Sequence, residues 1–144
     1  MEDIAVYWAL FLNAFIAATL LPAFSELALS ALLIEDIGEP VFLLLAATTG
    51  NILGSVVNWL LGKFIIVQDK IQTKYATKTS FKKAKGLFER FGVYSLLFAW
   101  APIIGDPLTF IAGIFKIRFL PFIILVSIGK FMRYSLILLA ISYT

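Results

Sequence analysis

The sequence predicts an all-α integral membrane protein, an inverted repeat of two re-entrant, Pro-broken helical hairpins that are each followed by a transmembrane helix. Three observations carry that expectation. The 144 residues are 61% hydrophobic and only 15% charged, with a mean hydropathy of +0.97, an apolar share above that of soluble domains. A Pro-x-x-x-acid element occurs twice, once as Pro22 to Glu26 and again as Pro102 to Asp106. No Lys or Arg precedes Lys63, and eight then fall between 63 and 90 against only Asp69 and Glu89.

The first apolar stretch, Ile4 to Ile34, is longer than one crossing needs at a helical rise of about 1.5 Å per residue. Pro22 removes a backbone donor within it and Glu26 adds a carboxylate, features tolerated at membrane depth only where they face protein or water. A hairpin entering and leaving on one side puts Met1 outside, whereas a broken span puts it in the cytoplasm; both remain open. Glu35 to Pro40 is an acidic turn with a helix-stopping Gly38 and Pro40, suited to the outer face. Val41 to Gly62 has the length of one crossing, interrupted by Gly50, Asn51, Gly54 and Asn58. Gly50 and Gly54 form a small-xxx-small pair suited to close helix packing.

The basic stretch 63–90 reads as cytoplasmic by the positive-inside rule. Within it Phe81, Ala84, Phe88 and Phe91 recur at helical spacing opposite Lys82, Lys83, Lys85 and Arg90, after Thr79 or Ser80 as a cap. Two readings stand: an interfacial helix whose basic face attracts anionic lipid, or a solvated basic face whose aromatics pack on the protein. The third apolar stretch, Val93 to Phe115, contains Pro102, Gly105, Asp106 and Pro107 and cannot be one regular helix. Lys116 and Arg118 follow, and Phe119 to Tyr143 makes the last crossing with Gly129, Lys130 and Arg133 inside it. Gly50-Asn51 follows Glu26 at nearly the same distance as Gly129-Lys130 follows Asp106. The chain thus divides as repeat 1 over 4–62, a basic amphipathic linker over 63–90 and repeat 2 over 91–144, all one membrane domain. With one hairpin entering from outside and the other from the cytoplasm, the units are inverted, as in secondary transporters with broken helices.

Inventory narrows the chemistry. There is no Cys and no His, which removes disulfides, thiolate metal sites and imidazole proton relays. No nucleophile–base pair, metal-ligand cluster or Gly-rich nucleotide loop is present, so no enzyme, metal, cofactor or nucleic-acid partner is expected. The N-terminus lacks the basic region and cleavage pattern of a secretory signal and reads as retained. Glu26 and Asp106, desolvated and brought near each other by inverted hairpins, suit proton exchange. Lys130 and Arg133 lie three residues apart on one helix face, and each costs about 2.5–3.5 kcal/mol if placed centrally in a membrane. Their partners are Glu26 or Asp106, or an anionic headgroup that the planar Arg fork suits.

Each residue also has a plainer reading. Lys130 and Arg133 suit permanent pairs or snorkelling, Asp106 suits a helix cap, and Asn51 and Asn58 suit packing as well as substrate contact. Trp8, Trp59 and Trp100 read as interface anchors or packing residues.

Taken together, Pro22-Ala23-Phe24-Ser25-Glu26, Gly50-Asn51-Ile52-Leu53-Gly54-Ser55 with Asn58-Trp59, and Phe88-Glu89-Arg90-Phe91-Gly92 resemble the DedA membrane protein family, in particular its short YqaA-like branch. So do Trp100 to Leu108 with Ala112-Gly113, and Gly129-Lys130 with Arg133-Tyr134. The resemblance implies paired re-entrant hairpins and a bacterial inner-membrane transporter or flippase, proton-coupled, moving an anionic lipid carrier such as polyprenyl phosphate, a phospholipid or a small solute. Glu26 and Asp106 are then the proton-coupling residues, with Lys130, Arg133, Asn51 and Asn58 on the substrate. Typical members carry Arg-Phe-x-Pro-x-x-Arg in the second hairpin; here Trp100 to Asp106 keeps the proline and lacks both arginines, leaving Lys130 and Arg133 to supply the cationic charge. The alternative is a membrane scaffold or assembly factor whose intramembrane charges form fixed pairs, and pairing with a second copy is compatible with either.

Overall fold

Because apolar residues run around whole helices and not along one stripe, these segments suit surroundings of lipid or protein on every side. The computed structural model describes residues 2–19, 24–65, 79–101 and 104–144, with the side chains of 24, 65, 80 and 81 outside that description. In chain order these form α1 (Glu2–Thr19), α2 (Phe24–Ile34), α3 (Pro40–Ile65), α4 (Thr79–Phe91), a 3₁₀ helix (Gly92–Trp100), α5 (Gly105–Ile114) and α6 (Phe119–Ser142). Three of them, α1, α3 and α6, are long and apolar enough to cross a membrane. The 11 residues of α2 and the 10 of α5 reach only about half of a hydrocarbon core of about 30 Å. Pro22 and Pro102, expected to break the hairpins, lie outside the described residues, as does the part of the basic stretch from 66 to 78.

The chain forms two units, Met1–Gly54 with Lys130–Thr144, and Ser55–Gly129. In the first, Leu10 and Ala14 of α1, Leu29 of α2, Leu43, Leu44 and Ala47 of α3, and Tyr134 of α6 share one buried cluster. Between helices in lipid, attraction rests on close packing, and two glycines allow it here. A Cβ at Gly50 would meet the Phe11 carbonyl oxygen at 2.3 Å, and one at Gly54 would meet the Ala18 Cβ at 2.5 Å. The Tyr7 hydroxyl accepts a hydrogen bond from the Glu39 N–H at 2.9 Å, tying α1 to the start of α3, where Pro40 opens the helix with no donor to lose.

The second unit is built around Trp59, Phe88, Leu96, Leu108, Ile111 and Phe122. Here α3 crosses α5 at two facing glycines: a Cβ on Gly62 would lie 2.1 Å from the Phe110 oxygen, and one on Gly113 2.1 Å from the Trp59 oxygen. The third apolar stretch is indeed not one helix, since a nine-residue 3₁₀ run precedes α5, unusually long for that geometry. Ala84 and Phe88 of α4 are buried, while Lys82, Lys83, Lys85 and Arg90 are exposed. The apolar side of α4 is therefore used inside the protein, with Phe88 stacked on Phe115 at 4.7 Å, whereas Phe91 stays 46% exposed.

Both short helices end in the same cap. After α2, Asp36 has φ +55, and the N–H groups of Asp36 and Ile37 bond the Leu33 and Leu32 oxygens at 3.4 and 2.9 Å. After α5, Lys116 has φ +53, and the N–H groups of Lys116 and Ile117 bond the Gly113 and Ala112 oxygens at 2.9 and 3.0 Å. This paired 5→2 and 6→1 pattern is the Schellman motif. Asp36 and Lys116 stand at the same sequence offset as Pro22 and Pro102, and as Glu26 and Asp106.

Candidate functional site

A Glu on a short apolar helix and an Arg on a membrane-length one must each find a partner or water, because isolated charge in lipid is expensive. In the first unit they find each other: Arg133 of α6 donates from Nε to Glu26 Oε1, and its Nη2 forms an ion pair with the same oxygen. The burial is unequal, with side-chain exposures of 6% for Arg133 and 29% for Glu26. Next to this pair, the Ser25 and Tyr134 hydroxyls are 2.7 Å apart in a buried hydrogen bond. Successive residues of α2 thus engage successive residues of α6. The Arg133 guanidinium also lies 5.8 Å from the Tyr134 ring centroid.

One helical turn before Arg133, Lys130 is fully buried. On α3, Asn51 is buried and its Nδ2 donates to the Ala14 oxygen of α1 at 3.2 Å. Three residues earlier, the buried Thr48 hydroxyl has no hydrogen-bond partner among the described residues. Polar groups of this kind are normally satisfied, so this hydroxyl has hydrogen-bonding capacity that the described residues do not use. The unit therefore gathers two buried cations, one partly exposed acid and several hydroxyl and amide groups. That set can hold an anionic group and exchange a proton.

The remaining acid belongs to the second unit. Asp106 is half-buried in the first turn of α5, where a carboxylate is favoured by the helix dipole. The N-cap position is Ile104, so Asp106 acts from within the turn and not as its cap. The Asp106 carbonyl accepts from the Thr109 hydroxyl at 2.6 Å, and that hydroxyl accepts from Asn58 Nδ2 at 3.3 Å. This links α3 to α5 one turn from the acid. Gly105 is required where α5 starts, since a Cβ there would sit 2.3 Å from the Ala99 oxygen; Pro107 follows within the first turn, where its missing donor costs nothing. Ser25, Thr48, Thr109 and Tyr134 were absent from the sequence-derived site. Ser25 and Tyr134 adjoin Glu26 and Arg133 in sequence, the one signal that would have found them.

A family model for the VTT domain matches residues 21–143. The chain is 37% identical over 134 residues to the inner membrane protein YqaA of Escherichia coli (strain K12), covering 93% of this chain and 89% of that protein. The Shigella flexneri protein of the same name matches to the same extent. An uncharacterized protein of Haemophilus influenzae is 30% identical over 136 residues, covering 90% of this chain and 83% of that protein. No solved structure matches the chain significantly.

Proposed function

The chain belongs to the VTT-domain family, the DedA family of membrane proteins, and from that premise we propose that it is a proton-coupled transporter or lipid flippase. It resides in a bacterial inner membrane, crosses it several times and keeps 63–90 in the cytoplasm; its cargo is an anionic lipid carrier or small anionic solute. The observation that carries the reading is the Glu26–Arg133 pair, in which a nearly buried guanidinium faces a carboxylate that the protein leaves 29% exposed.

A proton arriving at Glu26 removes the counter-charge of Arg133. The guanidinium is then left buried and uncompensated, a state that an anionic group relieves through two parallel N–H donors. Lys130, one turn away, adds a second positive charge, and Asn51 and Thr48 offer neutral polar contacts. Loss of the proton lets Glu26 recapture Arg133 and expel the anion. Asp106, in the first turn of the matched short helix, is the second exchangeable acid. The sequence offset shared by the acids and the helix caps supports two hairpin units of common descent, and the acidic turn after α2 against the basic turn after α5 supports their inversion.

The test is translocation of fluorescent polyprenyl phosphate and fluorescent phospholipid in proteoliposomes, with and without a pH gradient, for wild type, Glu26→Gln and Asp106→Asn. Gradient-dependent movement lost in the variants is expected. Normal gradient-driven movement by a folded Glu26→Gln, Asp106→Asn double variant overturns the proton role. No movement of either probe by folded wild type overturns a lipid cargo and leaves a small solute or the scaffold with its charges in fixed pairs.

A further inference from the structure

The second unit presents a basic surface that the Glu26–Arg133 chemistry does not use. Its parts are held together by contacts of the buried Trp59 and Phe88. Trp59 of α3 donates from Nε1 to the Ile117 oxygen at 3.0 Å and stacks on Phe122 of α6 at 5.6 Å. Phe115, at the end of α5, stacks on Phe88 of α4. These contacts place α4, through its apolar side, beside the turn 115–118 and the last turns of α3. Lys63, with its ammonium 4.9 Å from the Trp59 ring, is exposed there, as are Lys82, Lys83, Lys85, Arg90, Lys116 and Arg118. Glu89 is the one exposed acid among the described residues of this unit.

The turn geometry does not call for positive charge. The same Schellman cap forms at 36 with Asp in the left-handed position and at 116 with Lys. Glycine makes this conformation without strain, so each side chain is kept against a backbone cost. The helix dipole favours a cation at such a cap by only about 0.3–1 kcal/mol, and the cap at 36 forms with Asp, so the cap does not dictate the basic character of Lys116 and Arg118.

Position names the partner. Lys63 lies at the end of the membrane-length segment Pro40–Phe64, and Arg118 directly precedes the one that begins at Phe119, so the cations sit at headgroup level when those helices span. Phe91 at the end of α4, and Tyr94, Phe98 and Trp100 in the chain that follows it, are exposed, with Phe91 6.1 Å from Phe98 and Arg90 5.4 Å from the Phe91 ring, the mix of rings and cations found at membrane interfaces. We propose that this surface, formed by α4, the 115–118 turn and Lys63, docks the phosphate headgroups of anionic lipid in the leaflet that surrounds the protein. It is separate from the transport chemistry, which Glu26 and Arg133 carry in the other unit.

The full chain is purified in a zwitterionic detergent, and phosphatidylglycerol binding is followed by native mass spectrometry alongside the unfolding midpoint. Phosphatidylcholine, inorganic phosphate and sn-glycerol 3-phosphate serve as controls. Wild type is expected to retain phosphatidylglycerol over phosphatidylcholine, more weakly at high salt. Lys116→Gly should weaken that binding about fivefold, the change that corresponds to about 1 kcal/mol per surface cation, while the midpoint holds or rises because glycine relaxes the cap. Lys82→Gln with Lys83→Gln and Lys85→Gln should weaken it about a hundredfold on the same scale. Equal retention of phosphatidylcholine, equal protection by the soluble phosphates, or unchanged binding in folded Lys116→Gly each overturns the proposal. The loss of phosphatidylglycerol binding on Lys116→Gly should be of the same size in the Glu26→Gln background, which is expected to lose transport, so the two readings fail independently.

Discussion

The Glu26–Arg133 pair should respond asymmetrically to the loss of its two members. Glu26→Gln leaves a guanidinium with a side-chain exposure of 6% and no carboxylate. Removing one partner of a buried pair costs about 3–5 kcal/mol, because the other charge stays behind desolvated. Arg133→Met leaves a carboxylate that is 29% exposed. That group can take up a proton or water and escape most of the penalty, so the cost falls to about 1–2 kcal/mol, with loss of the contact to the Tyr134 ring included. At about 3 °C per kcal/mol for a chain of this size, Glu26→Gln should lower the thermal midpoint in detergent by about 10 °C and Arg133→Met by about 5 °C. Glu26→Gln in the Arg133→Met background should then cost little, giving a coupling of about 3–5 kcal/mol in a double-mutant cycle. Additive losses, or a larger loss for Arg133→Met, would refute the assignment of the buried charge to Arg133.

Ser25→Ala and Tyr134→Phe should each cost about 1–2 kcal/mol by leaving a buried hydroxyl unpaired, and the double variant little more than either, read by thermal unfolding. Gly50→Ala should abolish correct folding or cost more than about 3 kcal/mol, on the order of overpacking against fixed backbone, since its Cβ would sit 2.3 Å from the Phe11 oxygen. Gly86→Ala, with nothing within 4 Å of its Cβ, should instead gain about 1 kcal/mol of helix propensity. Because the chain has no Cys, Asp36→Cys and Lys116→Cys are single-site reporters: an impermeant thiol reagent on intact cells should label the first and spare the second, and the reverse pattern would refute the topology drawn from charge.

Long apolar stretches with charged borders made much of the fold legible. Val41 to Gly62 corresponds to α3 (Pro40–Ile65) and Phe119 to Tyr143 to α6 (Phe119–Ser142), because in a membrane the ends of a span are set by where charge and Pro begin. Faces were harder to read. With apolar residues all around each helix, periodicity cannot say that Gly62 meets Gly113, or which acid Arg133 meets across most of the chain. The structure pairs it with Glu26. The caps were hidden for another reason. Sequence rules look for Gly in the left-handed position, and Gly38 drew attention two residues past Asp36, which takes that position itself along with the later Gly38.

Asp36 and Lys116 hold the same backbone conformation at the ends of two short apolar helices, offset by the spacing that separates Glu26 from Asp106. The common descent proposed above accounts for the common shape, and it would by itself predict common charge. The opposite is found: Glu35, Asp36 and Glu39 around one cap, Lys116 and Arg118 around the other. The cap hydrogen bonds are all backbone, and the helix dipole favours a cation at either cap by only about 0.3–1 kcal/mol, so folding alone does not explain the acidic cap. The translocation machinery does, because it retains Lys and Arg on the cytoplasmic side and is nearly indifferent to Asp and Glu. On the inverted arrangement proposed above, the two hairpins insert in opposite senses, and these turns are where charge can diverge at little backbone cost while everything else that shapes the hairpin is kept.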